Sequence, residues 1–231
     1  MQPGLDQIAQ TVDGLSAAPG EIAGRVRLSV PQAALSMVIA PLLPLLREHH
    51  PRIEIEIKVD DRFVDIVADG FDAGIRISES IERDMVQLRL TEPFRFVVVG
   101  APDYLARRGT PMRPEDLLDH ECITFRSTST DALYAWELEQ GSRTWRIPVR
   151  GGVVTGDALL HASLAERGMG LAYAFEPLVE DALRAGRLAC VLDSYAPTVP
   201  GYFLYYPSRA QRSPPMQVFV EALKDLTRNA R

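Results

Sequence analysis

Apolar and polar positions alternate along "RVRLSV", residues 25–30, and a period of two over such a run predicts a β-strand with one face buried. The next stretch, "PQAALSMVIAPLLPLLREHH", changes to apolar residues at helical intervals, with Pro41 and Pro44 predicting a kink or a delayed regular start. "IEIEIKV" returns to strict alternation and predicts a second strand. "DDRFVDIVADG" then predicts a short helix, with Asp61 as its N-cap and Gly70 as its stop. "GFDAGIRIS", residues 70–78, reads as a third, buried strand that closes on Arg76. Strand, helix, strand, helix, strand is the order of a parallel sheet with right-handed crossovers.

Two more strands, "MVQLRL" and "FRFVVVG", precede a second round of alternation. "APDYLARRG" and "PEDLLDH" predict short helices, "CITFR" a strand, and "YAWELEQGSRTWRIPVR" a hairpin turning near Gly141 and Ser142. "GVVT" leads into the helix "GDALLHASLAERG", which stops at Gly168. A buried strand "MGLAYAF", a helix "EPLVEDALRAG" with Pro177 near its start, and the strands "RLACVL" and "GYFLYYPS" follow. The helix "SPPMQVFVEALKDLTR" closes the series. Ahead of it all, Leu5, Ile8, Val12 and Leu15 share a helical face, and "APGEIAG" ends that helix as a linker. Two α/β halves of similar order predict two lobes, with the function between them.

Composition narrows the function classes. A chain of 231 residues, 46% hydrophobic and 24% charged, has the balance of a soluble globular protein. A formal net charge of -6 leaves no global positive field to hold this chain on nucleic acid. Cys122 and Cys190 stand far apart in no ligand-like spacing, which fits free thiols in a reducing cytoplasm. The N-terminal residues show no basic segment leading into an apolar one, and no stretch approaches a membrane span, so a secreted or membrane protein is disfavoured.

Chemistry is sought where open α/β sheets hold ligands, at the carboxyl ends of strands and the starts of the helices that follow, where free amides favour anions. Three junctions qualify: Pro31, Gln32 and Ala33; Asp61, Arg62 and Phe63; and Thr155, Gly156 and Asp157. Arg76 at the end of its strand and Arg126, Ser127 and Thr128 after "CITF" complete a set suited to a small carboxylate. Phe175 and Tyr202, with Tyr173, offer rings for an aromatic effector or fill the core. Arg76 has three readings at this point: a ligand contact, a solvent-facing side chain, or an ion pair with Asp69 or Asp72. His49 and His50 are adjacent on a helix and cannot face one metal together, so no metal site and no cofactor are expected. Nucleophile-elbow, zinc-protease, Walker and dinucleotide motifs are all missing, which speaks against an enzyme.

The blocks "GRVRLSVP", "REHHP", "IEIEIKV", "DRFVDIVADGFDAGIRIS", "APDYLARRGTP", "PEDLLDHECITF", "RGMGLAYAFEPLV" and "YFLYYPSRA" together resemble the effector-binding domain of LysR-type transcriptional regulators. "AGIRI", "YAWEL" and "LYYPSR" look closest to the CrgA-like branch. The resemblance implies a two-lobed, type 2 periplasmic-binding-protein-like α/β fold, each lobe a mostly parallel sheet flanked by helices, joined by two crossover strands. Residues 21–95 with 201–231 would form the first lobe and 96–200 the second. Residues 1–20 would be the end of a linker helix and a linker, following a winged helix-turn-helix that this chain lacks. It further implies a cytoplasmic homodimer or higher homo-oligomer. A small anionic or aromatic effector would lie in the interlobe cleft, and DNA would be reached only through the missing domain. Where the family commonly has an asparagine before the acid of "TGD", Gly156 stands, and where it commonly has a proline after the glycine-rich strand, Ala174 and Phe175 stand. A solute-binding protein of a transport system is the rival of the same fold.

Overall fold

The computed structural model describes residues 22–62, 64–77, 85–127, 130–208, 210 and 213–229. The predicted helix of Leu5, Ile8, Val12 and Leu15 lies outside them. The chain divides into two compact units, one reaching Glu92 and resuming at Pro200, the other running Pro93–Val199.

The first unit is built on a sheet of order β2-β1-β3-β13-β4, with β1 Gly24–Val30, β2 Ile53–Val59, β3 Ala73–Ile77, β4 Met85–Arg89 and β13 Tyr202–Pro207. Strand β1 pairs in parallel with β2 along its whole length, Gly24 opposite Ile53 through Val30 opposite Val59. It also pairs in parallel with β3, Ser29 opposite Gly74. Strand β13 runs antiparallel to β3 and β4, so the expected parallel arrangement is the core of a mixed sheet. Val26, Leu28, Val30, Ile75 and Leu204 are fully or almost fully buried.

Helix α1 follows β1 as Gln32–Ala34, a π-helical stretch Leu35–Ile39, and Ala40–His49. The widened turn comes just before Pro41 and Pro44, whose missing amides cannot complete a regular ladder, as the prolines led one to expect. The last helix of the chain, Pro214–Asn229, buries Met216, Phe219, Val220 and Leu223, positions three and four apart, and packs against β1 and α1.

The helix predicted for "DDRFVDIVADG" is reduced to a turn at residues 66–70. Its cap is Asp65, not Asp61: Asp65 Oδ1 accepts from the amides of Val67 and Ala68, both at 3.0 Å. Asp61 is engaged by a different helix, as described below. Gly70 does end the segment, at a φ of 72° that favours glycine.

In the second unit the sheet order is β11-β5-β10-β6-β9, with β12 paired to β5. The strands are β5 Phe94–Gly100, β6 Cys122–Thr124, β9 Val153–Val154, β10 Leu171–Phe175, β11 Ala189–Val191 and β12 Thr198–Val199. Strands β10, β6 and β9 are mutually parallel, and β5 is antiparallel to β10, β11 and β12. Alternation along β5 and β10 sends side chains to opposite faces. Val97, Val99, Ala172 and Ala174 meet Ala162, Ala165, Val179 and Ala182 of helices α3, Ala158–Glu166, and α4, Glu176–Arg184. Val98, Leu171 and Tyr173 meet Tyr104 and Leu105 of α2, Pro102–Arg108, together with Leu117, Trp136 and Leu138. Leu117 belongs to a 3₁₀ helix, Pro114–Asp119, where a short helix is predicted. Trp136 and Leu138 belong to the predicted hairpin, β7 Trp136–Gln140 and β8 Arg143–Ile147.

Candidate functional site

Arg76 is buried, with 6% of its surface exposed, which sets aside its solvent-facing reading. It does not face solvent, and among the described residues it bonds no carboxylate. Asp72 is engaged instead by the Arg27 amide, at 2.8 Å, and burial pushes its carboxyl above the ordinary range. The guanidinium of Arg76 donates to the carbonyls of Ile75 at 2.6 Å, Ser29 at 3.3 Å and Arg62 at 2.8 Å, and to Ser29 Oγ at 3.1 Å. Among the described residues its buried Nε has no hydrogen-bond partner. One side chain thereby ties the ends of β1 and β3 to the loop after β2.

That loop is fastened at further points. The Asp60 amide donates to the Val30 carbonyl at 3.0 Å, continuing the β1–β2 pairing. The Asp60 carboxylate takes two bonds from the Arg62 guanidinium, at 3.0 and 2.8 Å, and one from the Arg62 amide, at 2.9 Å. The Arg62 side chain, its amide and its charge hold the Asp60 carboxyl at about 2, against a smaller upward push from burial. Asp61 is exposed, and its Oδ1 accepts from the Gln32 amide at 3.0 Å, so it caps the helix that follows β1. Pro31 and Ala33 on either side of Gln32 are buried.

Tyr202 is 2% exposed. Burial is the main cause that pushes its phenol up; the negative charge of Asp61 adds to the rise and the positive charge of Arg76 opposes it. Gln32, Asp61, Arg62, Arg76 and Tyr202, from four separate stretches of sequence, thus come together at the carboxyl end of the first unit's sheet. Phe63 lies outside the described residues.

In the second unit the candidates form local turns. Arg126 is exposed, donates to the Asp131 carbonyl at 2.7 Å and makes an isolated bridge with Leu133. The Ser127 amide donates to Ala132, and its carbonyl accepts from Asp131. Thr128 lies outside the described residues. Asp157 caps α3, its Oδ1 accepting from Leu159 and Leu160 at 2.9 and 3.0 Å. The Thr155 amide donates to the Thr124 carbonyl at 2.9 Å. A Cβ at Gly156 would stand in open space, so crowding does not demand the glycine. Phe175 is half-buried against Phe94 and Phe96, with ring centroids at 5.6 and 4.3 Å, and Tyr173 stacks between Phe96 and Trp136.

The sequence reading overlooked His161. It is 4% exposed, and its Nε2–H donates to the Thr155 carbonyl at 2.8 Å, bracing the turn that holds Thr155, Gly156 and Asp157. Burial pushes its pKa below the ordinary histidine value. A single histidine at an inward helix position carries no motif, so only the fold reveals it. His49, considered for a metal, is exposed and bonds the Leu45 carbonyl through Nδ1. Among the described residues no three potential ligands gather as a metal site.

Comparison with known proteins gives these sites a context. The sequence model of the LysR substrate binding domain matches residues 19–228. The chain belongs to the LysR family. A transcriptional regulator of Pseudomonas aeruginosa is 38% identical over 223 residues, which are 95% of this chain and 72% of that protein. The HTH-type transcriptional regulator PgrR of Escherichia coli is 31% identical over 222 residues, 96% of this chain and 74% of PgrR. Among solved structures, the regulatory domain of CrgA from Neisseria meningitidis superposes with a TM-score of 0.74 at 20% identity, covering 89% of this chain and all of that one. The full-length virulence activator AphB of Vibrio cholerae does so with a TM-score of 0.79 at 18% identity, covering 97% of this chain and 76% of AphB.

This is the effector-binding domain of a LysR-type transcriptional regulator, with the type 2 periplasmic-binding-protein-like fold. The relatives are transcriptional regulators by name, not transport proteins, which decides against the solute-binding reading. No helix among the described residues is long and apolar enough to cross a membrane.

Proposed function

We propose that the effector is a small organic anion or aromatic molecule, held at the carboxyl ends of β1, β2 and β3 in the first unit. Gln32, Asp61 and Arg62 would meet it, with Arg76 and Tyr202 behind them. The carrying observation is the Arg76 cluster. A guanidinium taken out of water needs compensation, and here it is served by carbonyls and one hydroxyl, with no carboxylate bonded to it among the described residues. A site that already holds a buried cation at strand ends suits a ligand with a negative group. The second unit's polar groups are spent on their own turns, Asp157 on α3 and Arg126 on Asp131.

Occupancy regulates only through a difference in affinity between two conformations of the regulator. Self-association, with α1 and its exposed Leu45 as a contact element, and DNA contact through an N-terminal domain are parts of the same proposal. A thermal-shift screen of small carboxylates and aromatics tests the seat. Compounds that stabilise the wild type lose their effect in Gln32→Trp, which fills the strand ends from a half-buried position. Full retention of the shift by that variant places the effector elsewhere.

A further inference from the structure

One row of side chains in the first unit stands apart by its charge. Phe203 of β13 is paired in register with Arg76 of β3 on one side and with Arg89 of β4 on the other. Residues directly opposite one another in a sheet share a face, so a guanidinium, a phenyl ring and a second guanidinium stand side by side across three strands. The adjacent row, Ile75, Leu204 and Leu88, points the other way, and its Ile75 and Leu204 are fully buried. Arg76 is the last residue but one of β3 and Arg89 the last of β4, so the charged row lies at the carboxyl end of both strands.

The two arginines differ in what they have left to offer. Arg76 is buried, and its Nη groups are engaged by three carbonyls and the Ser29 hydroxyl. Arg89 is half-buried, and among the described residues it makes one hydrogen bond, from Nη1 to the Pro200 carbonyl at 2.5 Å. Its guanidinium carbon stands 4.6 Å from the centroid of the Phe203 ring, a cation–π contact that holds the group in place without consuming an N–H. The remaining donors of its planar fork are left for a ligand.

The balance of charge along the row is a second, independent observation. Among the described residues no carboxylate bonds either arginine, although the chain carries 31 Asp and Glu against 25 Lys and Arg. The two side chains start from strands about 10 Å apart, within reach of each other's field at ordinary salt, so they repel, and an anion seated at the row relieves that repulsion.

We propose that Arg89, set on Phe203, anchors a second site in the first unit, for a small molecule that carries a carboxylate. The carboxylate takes the outer N–H groups of the Arg89 fork, the accessible part of the Phe203 ring gives the rest of the molecule an apolar floor, and Arg76 beyond the ring adds charge without a direct bond. Strand β4 is three places from β1 in the sheet, about 14 Å, so a molecule the size of benzoate does not reach from Arg89 to Gln32. This site therefore does not depend on the seat proposed above.

NMR of the arginine Nε–H signals in the isotope-labelled 231-residue chain tests this, with benzoate as the probe, benzamide as its uncharged control and inorganic phosphate as a different anion. The Arg89 signal is identified by its loss in Arg89→Gln and in Arg89→Lys. Benzoate is expected to move it saturably, with benzamide leaving it in place. Benzoate affinity is expected to fall roughly tenfold or more in Arg89→Gln, to recover only in part in Arg89→Lys, which keeps the charge and loses the fork, and to persist in Gln32→Trp. An Arg89 signal that benzoate does not move overturns the proposal in the wild type alone, whatever the variants do. Equal movement with benzamide, movement with phosphate but not benzoate, or unchanged benzoate affinity in a folded Arg89→Gln overturns it as well. Loss of benzoate binding in Gln32→Trp overturns the separate site. If the screened hits are lost in Gln32→Trp while Arg89 stays unmoved by benzoate, the seat stands and the Arg89 site alone falls.

Discussion

Arg76 donates from its guanidinium to the carbonyl oxygen of Arg62 across 2.8 Å, joining the end of β3 to the loop after β2. With the bonds to Ser29 and Ile75, this makes Arg76 a clamp on the backbone before it is anything else. Removing it takes a donor from the carbonyls of Ser29, Ile75 and Arg62, which costs about 1–3 kcal/mol for a buried acceptor that nothing else serves. Arg76→Met is therefore expected to lower stability by at least about 2 kcal/mol in urea denaturation, and Arg76→Lys to recover only part, because a point ammonium cannot serve acceptors spread around a planar fork. A loss below about 0.5 kcal/mol, the range of ordinary surface changes, would show that the clamp is not structural.

The grip of Arg62 on Asp60 gives the same loop a pH signature. The folded carboxyl titrates at about 2, below the roughly 3.9 of an unfolded aspartate. Its contribution to stability is thus present above about pH 4 and is lost as pH falls through 2. A carbon-detected NMR titration should place the Asp60 midpoint near 2 in wild type and return it toward the ordinary value in Arg62→Ala. A midpoint that ignores the substitution contradicts the assigned cause.

His161 titrates with the opposite chemistry and the same direction in pH. Burial lowers its folded pKa below the unfolded value of about 6.5, so the unfolded chain takes up a proton first and stability falls as pH drops below about 6.5 toward the folded value. His120, also lowered chiefly by burial, contributes in the same window. Thermal melts between pH 7 and 5 should decline less steeply in His161→Gln than in wild type. An unchanged slope would mean that His161 is not buried as a neutral ring.

Much of this fold was legible from periodicity. The alternation in "IEIEIKV" marks strand β2, although of its apolar residues only Ile53 is buried and Val59 is exposed, and the spacing of Met216, Phe219, Val220 and Leu223 describes one buried face; local sequence is enough to read both elements. The candidate site was legible in its addresses and not in its partners. Asp61 was placed correctly at a helix start but given to the wrong helix, since its amide partner at Gln32 lies 29 residues away. The three carbonyls that hold Arg76 have no sequence signal at all: any residue supplies one, and only the β1–β3 pairing brings Ser29 into reach. His161 was missed for a related reason, because its acceptor is the backbone of Thr155.

The claim that the effector is seated at the strand ends of the first unit is tested most directly by hydrogen–deuterium exchange, with and without the best hit from the small-molecule screen. The account predicts slowed exchange in peptides covering residues 29–34 and 60–62, where the amides of Gln32 and Arg62 and the Arg76-bound carbonyls lie. Unchanged exchange in those peptides, together with protection confined to residues 124–127 or 153–161, would contradict it.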